Sequence, residues 1–378
     1  MTVEWLYNEE YDTIGHVSKL NLNGIKSISP HHAQTINDLE AIKSLGIRKN
    51  FDSIAVAGES LNYATFQGVG TKTSITDALI KRLQFKIIPN KINFVYCRIP
   101  SMYKTNSSFH PVLKVDDLQS SAIVGAQLEA NANGIIPPIP NGIQNYKVFK
   151  RILERTKIEI QTFRKKKEII GLIPKTEALG LIPAMIKDYE KLGVNIYAID
   201  FSGSYLPRAL IRTTVGTIRR LRKIKKRNEK TDKHYYLHIF NASTSVKSPT
   251  PATSISDILT HAYGVDSTSG VMWGGGKLVH DKLRYYSMSD YGAYQIGKMN
   301  EYGITTPFSI PESSSRAYKV LRAHRIIDYN NDCKTNITEY ISSGEPTKSY
   351  GAYLSSKSRA KEQVSNILTD VKEIKSRL

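Results

Sequence analysis

Three short apolar runs in this chain end in side chains that can attack an electrophile, take a proton or hold a polar ligand. Ile-Tyr-Ala-Ile runs into Asp200 and Ser202, Leu-His-Ile-Phe into Asn241 and Ser243, and Tyr-Gly-Val into Asp266, Ser267, Thr268 and Ser269. Pro174 and Thr176 follow Ile-Gly-Leu-Ile in the same way. A carboxylate so placed can serve as nucleophile, as general base, or as acceptor for the donor edge of a base. Capping of the next helix is the ordinary structural use of Asp, Asn and Ser at such positions. Repetition after several runs, far apart in sequence, favours one shared site.

The elements that must position these residues alternate in type. Helical spacing marks residues 38–45, 76–83, 121–129, 148–162, 181–192, 206–227 and 255–262. Short apolar runs between them read as strands at 53–57, 92–99, 134–136, 169–173, 196–199 and 235–240, with a last one around Val265. Brief apolar strands separated by helices long enough for a crossover require a parallel sheet buried on both faces. The strands of a parallel barrel point their C-terminal ends at one mouth, which is where the polar residues would meet. A doubly wound open sheet fits the same alternation, but the chain lacks the Gly-x-Gly-x-x-Gly turn that marks its dinucleotide-binding form. The expected fold is therefore an α/β, TIM-like (β/α)8 barrel over residues 1–285. Residues 286–378 add helical and irregular C-terminal elements: a tyrosine series, a basic helix from Arg316 to Arg325, and an amphipathic terminal helix packed on the barrel or on a partner chain. Residues 102–111, rich in Ser, Asn, Thr and Lys, read as a loop leaving a strand end.

Charge narrows the class of partner. The 378 residues hold 53 Lys plus Arg against 34 Asp plus Glu, a formal net charge of +19, which attracts polyanions over a distance. The densest basic segment spans 216–233, with Arg219, Arg220, Arg222, Lys223, Lys225, Lys226 and Arg227 beside an apolar stripe at near-helical spacing. That arrangement suits contact with a phosphate backbone. A smaller patch at 164–167 precedes a strand and so belongs to the barrel's opposite end. Trp273 to Lys277, Trp-Gly-Gly-Gly-Lys, permits a tight anion-binding turn or a hinge but lacks P-loop spacing. Cys97 and Cys333 stand too far apart in sequence to suggest a disulfide framework or a cysteine zinc site, and adjacent His31 and His32 give no useful ligand spacing. His238 and His261 read as core or core-edge histidines. No metal and no cofactor is expected. With no spanning apolar run and no secretory signal pattern, a cytoplasmic location without membrane contact is expected.

Several stretches together resemble the tRNA-guanine transglycosylase superfamily, including the queuine and archaeosine tRNA-ribosyltransferases and their DNA-modifying relatives. The resemblance runs from about residue 120 to 270. It rests on Glu168-Ile-Ile-Gly-Leu-Ile, Leu192-Gly-Val-Asn-Ile-Tyr-Ala-Ile-Asp-Phe-Ser-Gly, Tyr235-Tyr-Leu-His-Ile-Phe and Ile258-Leu-Thr-His-Ala-Tyr-Gly-Val-Asp, with the unit from Gln127 to Pro140 before them. The chain departs from the family at its functional positions. Ser269 stands where the catalytic aspartate follows Gly-Val-Asp by three residues, and Asp200-Phe-Ser202 replaces a glycine pair. No base-recognition aspartate lies near Pro137 and Pro138, and both the Asp-Ser-Gly-Gly element and the zinc ligands are missing.

The resemblance implies exchange of guanine for a 7-deazaguanine in tRNA or DNA through a covalent glycosyl-enzyme intermediate. Asp266, the carboxylate kept within Gly-Val-Asp, would be the nucleophile, and Asp200 the base or recognition group. Asn241, Ser202 and Ser269 would contact the base. A neutral serine lacks the charge that steadies an oxocarbenium-like centre, so a non-catalytic relative that grips nucleic acid is the competing expectation. Expected partners are nucleic acid, a deazaguanine base and further copies of the chain.

Overall fold

The computed structural model describes residues 31–33, 35–45, 55–61, 72–88, 92–99, 102–104, 109–111, 117–163, 167–174, 180–203, 236–243, 250–255, 257–263, 265–270, 278–337 and 353–360. β1 (His31–His32) precedes α1 (Ile36–Ser44), and β2 (Ala55–Ser60) precedes α2 (Lys72–Gln84). After β3 (Asn93–Arg98) come a hairpin, β4 (Met102–Lys104) and β5 (Phe109–Pro111), and then α3 (Asp117–Glu129). β6 (Gly134–Ile135) leads to α4 (Tyr146–Thr162), β7 (Glu168–Ile173) to α5 (Leu181–Lys191), and β8 (Ile196–Asp200) to β9 (Tyr236–Ala242). β10 (Ala252–Ser254), a 3-10 helix at Ile258–Tyr263, β11 (Ser267–Gly270), β12 (Arg284–Ser287), β13 (Gly292–Gln295) and α6 (Ser314–Asp332) follow.

Eight strands form one sheet in the order β1-β11-β9-β8-β7-β6-β3-β2, and every pairing in it is parallel. From β2 to β11 this is the order along the chain, and β1 joins the far side of β11. Side chains show that the sheet curls round. β3 and β9 are four places apart, roughly 19 Å in a flat sheet. Yet Tyr96 of β3 stacks on Phe240 of β9 with ring centroids 4.6 Å apart, and Phe94 meets His238 edge-on at 5.7 Å. Alternate residues of facing strands thus fill an interior, as in barrels. The molecule is an α/β protein whose near-closed parallel barrel is flanked by helices.

Outside the sheet, α3 packs between α2 and α4, with residues 120–128 all buried. Gln127 pins α3 to the strand it precedes: its Oε1 accepts the Ile136 N–H at 2.8 Å, and its Nε2 donates to the Ile136 carbonyl at 2.8 Å. The three-stranded antiparallel sheet β10-β13-β12 takes strands from both sides of residue 285. One hydrophobic core runs from the barrel into Tyr291, Tyr329, Cys333 and Tyr353, and a smaller one joins Ala41 and Ile42 of α1 to Ala323, Ile326 and Ile327 of α6.

Three local expectations change. Residues 102–111 include a short antiparallel hairpin rather than a plain loop. The helix expected at 255–262 is a 3-10 helix at Ile258–Tyr263. The last barrel strand is not centred on Val265 but begins at Ser267. The segments 206–227 and 273–277, and the terminal helix from residue 361 on, lie outside the described residues.

Tight packing between sheet and helices gives a test of the fold. A Cβ added at Gly171 would come within 2.9 Å of Tyr197 Cδ1 and 3.1 Å of Tyr189 Cδ2. Both rings are fully buried, and the Tyr189 hydroxyl is tied to the Leu172 carbonyl at 3.0 Å, so neither ring can retreat freely. Gly171→Ala should lower unfolding free energy by about 1–3 kcal/mol in urea titration. An unchanged midpoint would mean that this layer is not packed as described.

Candidate functional site at the barrel mouth

Asp200 closes β8 at the C-terminal end of the barrel and is fully buried. Its Oδ2 accepts from the Tyr96 hydroxyl at 2.8 Å, from Asn141 Nδ2 at 2.8 Å and from the Ser202 hydroxyl at 3.1 Å. Its Oδ1 accepts from the Ser202 N–H at 2.7 Å and from Asn241 Nδ2 at 2.7 Å. The Arg98 guanidinium adds an ion pair, with Nε 3.6 Å from Oδ2. A buried carboxylate is tolerable only when paired and hydrogen-bonded, and this one is held from four separate segments of the barrel. Burial, and then the Asp200 charge, raise the Tyr96 hydroxyl well above its ordinary value, so it stays a donor.

Local backbone makes the cluster possible. Along β9, His238 and Phe240 face the interior, so strict alternation would send Asn241 outward. Asn241 instead has φ of 58°, a left-handed conformation that asparagine tolerates, and its amide reaches Asp200. Ser202 has φ of 51° and is held there by two bonds to the same carboxylate. Two such residues at adjoining strand ends, each fixed by Asp200, are the kind of stored backbone strain that gathers at functional sites.

Asn141 is set by the same logic. Its Nδ2 donates to Asp200 and to the Ser202 hydroxyl, both at 2.8 Å, and a carboxylate can face only the amino side of the amide. Asn141 Oδ1 therefore points away, buried and without a hydrogen-bond partner. An unmet buried acceptor costs about 1–3 kcal/mol, which a donor on a ligand would relieve.

Asp266 lies at the other end of the barrel. Asp266 precedes β11, and its Oδ2 accepts the Leu237 N–H at 2.7 Å at the start of β9. Leu237 and Asn241 are four residue steps apart along β9, so the two ends lie roughly 13 Å apart. Asp200 and Asn241 share one mouth, but Asp266 does not join them: the strand follows this aspartate instead of leading into it. Burial raises the Asp266 carboxyl, offset in part by backbone N–H groups. In the interior, the Tyr236 hydroxyl donates to Ser267 Oγ at 2.6 Å, and Ser267 Oγ lies 2.7 Å from His238 Nδ1. The other ring nitrogen of His238, Nε2, lies 3.3 Å from Ser269 Oγ. The Ser269 hydroxyl has a distant acceptor in the Ile239 carbonyl at 3.4 Å.

Of the residues singled out in the sequence, Asp200, Ser202 and Asn241 come together, Ser269 lies inside β11, and Asp266 stands apart. Arg219, Arg220, Arg222, Lys223, Lys225, Lys226 and Arg227 lie outside the described residues. Tyr96, Arg98 and Asn141 are the additions. Arg98 was signalled by a cation ending an apolar strand; Asn141, within Pro-Asn-Gly, carries only the signature of a turn. Among the described residues, no group of three or more His, Cys, Asp or Glu is placed to share a metal ion, and no helix is long and apolar enough to cross a membrane.

No protein-family model matches the chain, and no curated protein matches it. Among solved structures, the chain is similar to the crystal structure of oxaloacetate acetylhydrolase at 9% identity and a TM-score of 0.39, over 85% of this chain and 97% of that one. A likeness at that level carries no argument about function.

Proposed function

We propose that the protein is a transglycosylase-like (β/α)8 barrel that binds nucleic acid and receives an unstacked base at its C-terminal mouth. The observation that carries this reading is the Asp200 cluster. A buried carboxylate aligns two amides, and one of these leaves Asn141 Oδ1 without a donor, a suitable partner for the N–H edge of a base. The net charge of +19 supplies attraction to the phosphate backbone.

Binding is favoured over base exchange because exchange needs a free nucleophile at the mouth. Asp200 already accepts five hydrogen bonds. Ser269 is fully buried inside β11, and Asp266 sits at the far end. Exchange of guanine for a 7-deazaguanine is the competing outcome, and labelled guanine decides between them. Purified protein incubated with tRNA or DNA should bind without incorporating label and without forming an adduct that survives denaturation. Affinity should fall by about 10³-fold or more between 50 and 200 mM salt if six or more phosphates are contacted. Asp266→Asn should leave affinity within about twofold, since that side chain is outside the mouth. Incorporated label, or a flat salt dependence, would overturn this reading.

A further inference from the structure

A second feature lies at the same end of the barrel. A cavity of about 370 Å³ opens between the strand ends at Ser243 and Gly270 and the C-terminal elements β12 and α6. Ser243 stands two positions beyond Asn241, and Gly270 one beyond Ser269, so the cavity adjoins the Asp200 mouth. Among the described residues, four cations line it, Lys282, Arg284, Arg322 and Arg325, against a single carboxylate, Asp38.

The four do not play equal parts. Arg322 Nε bonds Asp38 Oδ1 at 2.5 Å, and its other nitrogens reach the Tyr318 hydroxyl at 2.9 Å and Thr35 Oγ1 at 3.1 Å. Arg325 is paired with Asp257 and covers the Tyr286 ring at 5.1 Å. These two build the wall. Arg284 is oriented by the Ala293 carbonyl at 2.9 Å and the Thr250 carbonyl at 2.8 Å, oxygens that fix the guanidinium without adding negative charge. Lys282 is exposed and forms no ion pair among the described residues. The start of α1 also borders the cavity, but Thr35 and Asp38 already cap it reciprocally, so the cations rather than that helix end supply the attraction.

We propose that this cavity binds a phosphate ester, with Lys282 and Arg284 holding the phosphoryl oxygens and Tyr318 flanking the group that carries it. The position agrees with the general tendency of parallel barrels to bind phosphate at the loops after their last two strands, here β9 and β11. The proposal rests on the nucleic-acid reading, in which a base at Asp200 and a phosphate beside Ser243 and Gly270 would be parts of one nucleotide. The phosphate could belong to a mononucleotide or to the backbone of a strand.

Calorimetric titration with guanosine, guanosine monophosphate, inorganic phosphate and a short single-stranded oligonucleotide tests it. On wild type the monophosphate should bind about tenfold tighter than guanosine, since a hydrogen-bonded charge contact is of that order. Lys282→Gln should remove most of that advantage and leave guanosine unchanged, Lys282→Glu should weaken phosphate further, and Lys282→Arg should restore it. An effect of Lys282 on the oligonucleotide alone assigns the site to a backbone phosphate and also supports the proposal. If Lys282→Gln alters neither ligand, the cavity is not a phosphate site. The two readings separate cleanly: oligonucleotide binding that needs Asp200 but ignores Lys282 removes the cavity and keeps the mouth. Lys282-dependent monophosphate binding without oligonucleotide binding keeps the cavity and removes the nucleic-acid reading.

Discussion

Replacing Arg325 by methionine will destabilise the protein by about 3–5 kcal/mol near neutral pH, the usual cost of leaving a buried charge without its partner. Arg325 and Asp257 are 7% and 1% exposed, and their ion pair links the C-terminal helix α6 to the start of the 3-10 helix at Ile258–Tyr263. Even with the arginine present, burial outweighs the guanidinium and pushes Asp257 up to about 6 from an ordinary 3.8. That shift corresponds to roughly 3 kcal/mol. The sign follows from proton binding: between pH 4 and 6 the folded state holds the proton more tightly than the unfolded state. The favourable contribution is complete below pH 4 and is lost as pH rises through 6. Without Arg325 the folded carboxyl moves higher still, so the deficit of the variant should shrink in acid and widen toward pH 8. Urea unfolding of both proteins at pH 5 and pH 8 measures this. A deficit equal at the two pH values would mean that Asp257 is not a buried, titrating partner.

Asp200→Asn carries the second large effect, on both stability and binding. The new amide has one acceptor oxygen where the carboxylate has two, and its amino group must face at least two donors among Ser202, Asn241, Tyr96 and Asn141. Orphaned donors and the lost partner of Arg98 should together cost about 3 kcal/mol, and base-dependent affinity should fall by tenfold or more. Asn141→Ala separates recognition from architecture. It removes the unmet acceptor and two donated bonds but leaves the ion pair, so it should weaken base binding about tenfold with a smaller loss of stability. If Asp200→Asn unfolds at the wild-type urea concentration and binds normally, the cluster is not the organising centre of the mouth.

What could be read from the sequence follows from how local each signal is. The strands at 134, 168, 196 and 236 stand within one residue of their expected starts, because apolar runs bounded by glycine and polar residues are local patterns. Asp200 and Asn241 were found by the same rule applied to strand ends. Asp266 was misplaced because Tyr-Gly-Val is apolar and Ser-Thr-Ser-Gly is not, whereas the barrel builds β11 from the polar run: Ser267 and Ser269 bond His238 inside, and Thr268 meets the Tyr329 hydroxyl outside. No local pattern shows that a strand is polar because its neighbour across the sheet is a histidine. Tyr96 and Asn141 were missed for a related reason. Their importance comes from partners 104 and 59 residues away, and nothing near either residue encodes those partners.

The pairing of β1 with β11 has a consequence for synthesis. His31 and His32 align with Ser267 and Thr268, and α1 is tied to Arg322 across 284 residues. At a translation rate of about 5–20 residues per second, roughly 10 to 50 seconds separate the appearance of the first strand from that of its partner. Throughout that interval the growing sheet has open edges, which is the state most exposed to pairing between nascent chains. The formal net charge of +19 makes neighbouring copies repel one another during that wait, which opposes association between unfinished chains.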